Sequence, residues 1–140
     1  MEAINTGLDK AVFKKIMSIN ERMSFQNYIG IKTKEVGKNY AILQLTFGED
    51  HANTAGIAHG GVTATLLDAA MGMAAFTTGK DVVTLEMKIN FVAPGKIGST
   101  VTAEGRVLHN GNRTVVTEGR IISESGEVLA LATGTYFAVG

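Results

Sequence analysis

The run His59-Gly60-Gly61-Val62-Thr63-Ala64-Thr65-Leu66-Leu67-Asp68-Ala69-Ala70-Met71-Gly72-Met73-Ala74-Ala75-Phe76 decides how this chain folds. It is apolar on every side and made largely of good helix formers, a pattern that predicts a helix buried all round. One carboxylate, Asp68, interrupts it. A carboxylate taken out of water must recover the cost through hydrogen bonds or a chemical role. Gly60 and Gly61 open the helix, where missing side chains let a ligand approach the backbone. Their N–H groups stand at the positive end of the helix dipole, a favourable place for an oxyanion. A buried carboxylate beside an oxyanion site is an arrangement suited to catalysis.

On the N-terminal side, Leu8, Val12, Phe13, Ile16 and Met17 share one stripe, with Asp9, Lys10, Lys14 and Lys15 elsewhere. This predicts an amphipathic helix lying on a surface, within an N-terminal helical segment spanning residues 1–24. From Ile29 the period changes to two: Ile29 and Ile31, then Ala41, Leu43, Leu45 and Phe47, with Gly37-Lys38-Asn39 as the turn between. A loop from Gly48 to Ala58 leads into the buried helix. After a break at Gly79-Lys80-Asp81, Val83, Leu85, Met87, Ile89 and Phe91 alternate with Thr84, Glu86, Lys88 and Asn90, a long strand with one apolar face. Three more strands follow, with a hairpin turn at His109-Asn110-Gly111-Asn112 and a turn at Ser125-Gly126.

The order predicts an α+β fold in a single domain over residues 1–140, an antiparallel sheet of about six strands curled around one apolar helix. What the sheet leaves uncovered, on the helix or at a sheet edge, calls for a second subunit.

Composition excludes several functions. Lys plus Arg and Asp plus Glu both number 13, giving a formal net charge of zero, without the basic excess of a nucleic-acid binder. With no cysteine there is neither a disulfide framework nor a Cys nucleophile. The three histidines, His51, His59 and His109, are too scattered for a metal motif. The apolar stretch Ala69–Phe76 is too short to span a bilayer, and the N-terminus lacks a signal pattern. A cytoplasmic protein without membrane partners is expected.

The block Asn53-x-x-Gly56-x-x-His59-Gly60-Gly61, then Leu67-Asp68, Thr84 and Ala93-Pro94-Gly95-Lys96, resembles the hotdog-fold acyl-CoA thioesterases of the phenylacetate-pathway (PaaI-like) and human mitochondrial types. The resemblance covers most of the chain, including the order of elements. It implies a hotdog fold, homodimers with a continuous sheet that pair into tetramers, and active sites at the dimer interface. It also implies that Asp68 is the acidic catalyst, Gly60 N–H the oxyanion donor, Asn53 the loop amide and Thr84 the small hydroxyl residue. Coenzyme A would be contacted by Asn90, Phe91, Val92, Pro94, Gly95 and Lys96, and by His109, Asn110, Gly111 and Arg113. No cofactor is implied, coenzyme A being part of the substrate.

In the chemistry these residues could do, Gly60 N–H polarises the thioester oxygen while Asp68, about two turns along the helix, reaches the carbonyl carbon. Asp68 would act as nucleophile or as general base on a water. Asn53 would hold the water or steady the carboxylate, Thr84 would bond the same group from the partner subunit, and His59 is the fifth catalytic candidate. The acyl chain would lie against Leu67, Met71 and Met73, flexible Met side chains suiting an adaptable pocket. Each residue also has a plainer reading: Asp68 as a structural hydrogen-bonding carboxylate, His59 as a loop-orienting side chain rather than an acid or base, Asn53 as a loop cap, Met71 as core. Two rival functions stand beside hydrolysis: a non-catalytic acyl-CoA sensor, and a hydratase or dehydratase using a His with an acid.

Overall fold

The computed structural model describes residues 3–140. In chain order the elements are β1 (Ile4–Asn5), α1 (Lys10–Arg22), α2 (Ser24–Ile29), β2 (Lys32–Gly37), β3 (Tyr40–Thr46), a 3-10 turn (Glu49–His51), α3 (Gly60–Phe76), β4 (Val82–Phe91), β5 (Thr100–Asn110), β6 (Thr114–Ser123) and β7 (Val128–Ala138). The seven strands form one sheet in the order β1-β2-β3-β5-β6-β7-β4. All neighbours run antiparallel except β1 and β2. The expected count was about six; the seventh strand is the two-residue β1, too short to show a period of two.

The sheet wraps α3 because its inward positions are small or aliphatic. Leu66, Leu67, Ala70, Met71 and Ala74 are buried against Leu43, Ala103, Ile121 and Ala130. The closest approach falls at Gly105 on β5, where a Cβ would come within 2.2 Å of the Ala70 carbonyl oxygen. Backbone cannot yield as a side-chain tip can, so only glycine lets the helix sit this deep in the sheet.

The N-terminal segment departs from its expected outline. Asp9 caps α1 by accepting from Ala11 N–H at 2.8 Å, and the helix runs on to Arg22, with Ile16 only 1% exposed in the core. Thus α1 is anchored and not simply laid on a surface. Ile29, expected to begin a strand, ends α2; Gly30 at φ 98° terminates it. Its two-residue spacing from Ile31 imitated a strand across a helix end. Residues 1 and 2 of the expected helical segment lie outside the described residues.

β4 matters most for the site. It closes one edge of the sheet, bonded among the described residues only to β7. Its register shifts between Thr84 and Glu86, leaving Leu85 as a bulge. The shift reverses which residues face the helix. Thr84 pairs with inward-facing Tyr136, whereas Met87 pairs with inward-facing Gly134. A uniform alternation would have put Thr84 and Met87 on opposite faces. Along its length β4 carries exposed apolar side chains, Val83 at 51%, Leu85 at 62% and Phe91 at 60%. No helix among the described residues is long and apolar enough to cross a membrane.

Candidate active site

The helical period sorts α3 into two sides. Leu67, Ala70, Met71 and Ala74 point into the sheet, all fully buried. Thr65, Asp68, Ala69, Gly72 and Phe76, spaced by three and four, line a cavity on the other side. Met23, Phe25 and Gln26 from the α1–α2 corner, Val82, Val83 and Thr84 from β4, and Tyr136 from β7 complete that cavity. The helix is therefore not covered all round: Asp68 is half-buried at the edge of an opening. Leu67 and Met71, expected along an acyl slot, are core residues instead. Met71 packs on the glycines at 119 and 134, one helical face away from the cavity, whereas Met73 does line it.

Asp68 is held by two hydroxyls. Thr84 Oγ1 donates to Asp68 Oδ1 at 2.7 Å. The Tyr136 hydroxyl donates to the same oxygen at 2.8 Å and lies 3.0 Å from the Asp68 main-chain carbonyl. The Thr84 contact forms within one chain, where the sequence reading expected it from a partner subunit; the β4 bulge makes this possible. Tyr136 was not anticipated. Its signal was present: Ala130, Ala132, Gly134 and Tyr136 alternate on the inward face of β7, and a buried phenol needs a partner.

A second group gathers at the N-terminus of α3. Asn53, Gly60, Phe91, Val92, Pro94 and Gly95 line one groove together with Ile57, Ala58, Thr63 and Ala93. Asn53 Oδ1 accepts from Ala55 N–H at 2.9 Å and Ile57 N–H at 3.2 Å, closing the loop. His59 caps the helix, its Nδ1 accepting from Gly61 N–H at 2.8 Å. His51 ties the loop down, Nδ1 accepting from Gly48 N–H at 3.0 Å and Nε2 donating to the Ile29 carbonyl at 2.9 Å. Ala58 N–H donates to the Gly95 carbonyl at 2.9 Å, and Ile57 bridges to Lys96. The Phe91 ring lies 3.5 Å from where a Cβ on Gly60 would stand. Gly60 N–H, one of the donors a helix start leaves free, has no partner among the described residues. Asn90 lies on the exposed end of β4, accepting from Lys88 Nζ at 2.8 Å.

These two groups do not meet in one chain. Asp68 lies eight residues beyond Gly60, which is about 12 Å along a helix. One helix of one chain therefore does not bring both groups to a single carbonyl, in keeping with the expectation of a site at a dimer interface. The residues expected to contact coenzyme A are divided as well. Lys80, just past the C-terminal end of α3, donates to Asn110 Oδ1 and to the Gly111 carbonyl. Arg113 accepts at its carbonyl from Ala138 N–H. The hairpin His109–Arg113 thus sits at the opposite end of the sheet from Asn90–Lys96.

A helix cradled by an antiparallel sheet, with an acid on its flank and a free N–H at its start, is the arrangement of a hotdog-fold protein. The thioesterase superfamily model matches residues 55–130, more than half the chain. Human acyl-coenzyme A thioesterase 13 is 28% identical over 138 residues, covering 96% of this chain and 94% of that protein. The structure of E. coli PaaI, from the phenylacetic acid degradation operon, superposes with a TM-score of 0.91 at 25% identity, covering 96% of this chain and 97% of that one. A hypothetical thioesterase of Streptococcus pneumoniae, solved with coenzyme A, gives a TM-score of 0.76 at 29% identity, covering 79% and 90%. It was also solved with an aspartate changed to alanine and with a threonine sixteen positions later changed to alanine. The chain belongs to the thioesterase superfamily and is a thioester hydrolase.

Proposed function

We propose that this protein hydrolyses acyl- or aryl-acyl-CoA thioesters to the free acid and CoA, in sites that each draw on two copies of the chain. The observation that carries this reading is the gap of about 12 Å between Asp68 and Gly60, with the unpaired, apolar β4 edge lying alongside. An exposed apolar edge strand is a template for pairing. Antiparallel pairing of two β4 strands about a twofold brings the Phe91 end of one copy beside the Thr84 end of the other. Phe91 packs on Gly60 and Thr84 bonds Asp68, so the pairing joins the oxyanion donor of one copy to the acid of the other. The same twofold brings opposite ends of the two sheets together, closing the distance between Asn90–Lys96 and His109–Arg113. Pairs of such dimers would form a tetramer.

In this reading Gly60 N–H donates to the thioester oxygen as negative charge develops there, an effect worth ~3 kcal/mol in comparable sites. With Oδ1 occupied by two donors, Asp68 Oδ2 is the reacting oxygen. It attacks the carbonyl carbon, expelling the CoA thiolate and leaving a mixed anhydride that water cleaves. In the alternative route it takes a proton from a water that attacks the same carbon. The Asn53 amide holds that water, and His59 orients the loop. Side chains and backbone donors suffice, with no cofactor beyond the CoA of the substrate. The aspartate and threonine replaced in the Streptococcus pneumoniae protein have the spacing of Asp68 and Thr84, which supports the pairing of these two residues here.

The test is free-thiol release from phenylacetyl-, hydroxybenzoyl- and straight-chain acyl-CoAs, by wild type and Asp68→Asn. The variant is expected to lose ~100-fold or more in kcat with its oligomer intact. Turnover surviving in Asp68→Asn would remove Asp68 from the chemistry. Binding of acyl-CoA without turnover by wild type would make the protein a sensor.

A further inference from the structure

Tyr136 stands apart from the motif that identified the rest of the site, and its setting is specialised. The ring is 2% exposed and fits between two glycines. A Cβ on Gly72 of α3 would lie 3.4 Å from one ring edge, and a Cβ on Gly134 of β7 would lie 3.2 Å from the other. A glycine inside a helix or a strand weakens that element, and both stand where they admit this ring. The slot aims the hydroxyl at Asp68 Oδ1, 2.8 Å away, within the cavity that both residues line.

We infer that Tyr136 is a positioning residue for the reaction: with Thr84 it pins Asp68 Oδ1 and so selects Oδ2 as the oxygen that reaches the thioester. The inference rests on the proposed role of Asp68. Two donors on one oxygen fix the carboxylate plane, and Tyr136 is the one of the two whose ring cannot rotate away. Burial first, and the Asp68 charge second, push the Tyr136 phenol well above its ordinary range, so it remains a protonated donor across the working pH. Among the described residues, Asp68 and Tyr136 are the only titratable side chains lining this cavity.

The test compares wild type, Asp68→Asn and Tyr136→Phe by kcat and KM on the best thioester of the panel, and by thermal melting. Tyr136→Phe keeps the ring in its slot and is expected to lower kcat ~10- to 100-fold, the cost of a misplaced reacting group, with KM unchanged. That fall in kcat at unchanged KM, with a thermal melt close to wild type, is a split that a loss of folded protein alone would not produce. If Asp68→Asn is inactive while Tyr136→Phe matches wild type in kcat, the positioning role is overturned and the Asp68 reading stands. If Asp68→Asn keeps its turnover, the Asp68 reading fails and the inference fails with it.

Discussion

The two halves of the site, one at the start of α3 and one on its flank, are built by different means. The Gly60 half is local. Asn53 closes its own loop through residues two and four positions on, and His59 caps the helix through Gly61. The Asp68 half is assembled from a distance. Its partners Thr84 and Tyr136 come from 16 and 68 residues away, on two strands that must first find their register. Local hydrogen bonds impose a fixed spacing on the residues that make them, so the first half shows in the sequence as a compact motif. The second half has no such spacing and depends on the sheet. In the proposed mechanism the chemistry is divided the same way, the electrophilic donor standing in the local half and the reacting carboxylate in the assembled one.

If the halves meet only across a β4 edge, blocking that edge should disable both. Leu85→Lys places a charge on the exposed bulge. The expected result is a monomer by light scattering, with thiol release down ~100-fold or more once the oxyanion donor is out of reach. A fully active monomer would mean that one chain holds a whole site. A sharper version mixes two defective chains. Gly60→Pro removes the oxyanion N–H at the first helical position, where proline is tolerated, and Asp68→Asn removes the acid. Each alone should be nearly inactive, but refolded together in equal amounts they should recover about one quarter of wild-type turnover, through the one sound site in each mixed dimer. No recovery in proven mixed dimers would place both groups in the same chain's site. The smallest effect is expected at His59. Replacing this cap by alanine should lower stability by about 1 kcal/mol in thermal melts while leaving kcat nearly unchanged. A large kcat loss with normal melting would turn the cap into a chemical participant.

The buried helix, the loop leading into it and the alternating strands were legible because each is written in short-range periodicity. The family motif from Asn53 to Asp68 was legible for the same reason. The seventh strand was missed because two residues carry no period, and Ile29 was misplaced because a helix end followed by Ile31 imitates alternation. Leu67 and Met71 were expected in an acyl slot, since an all-apolar helix does not say which of its faces meets the sheet. Packing decided that, through the close approach of Gly105 to Ala70.

The sequence by itself determined that a charge-poor helix, begun by glycines and carrying one acid, must be wrapped by an antiparallel sheet, because burial and alternation leave few other ways to cover it. Only the tertiary structure decided that Thr84 turns inward at a bulge to join Tyr136 on Asp68, and that Gly60 stays a full two turns away. Register and helix rotation arise from contacts between distant residues, and no local pattern encodes them.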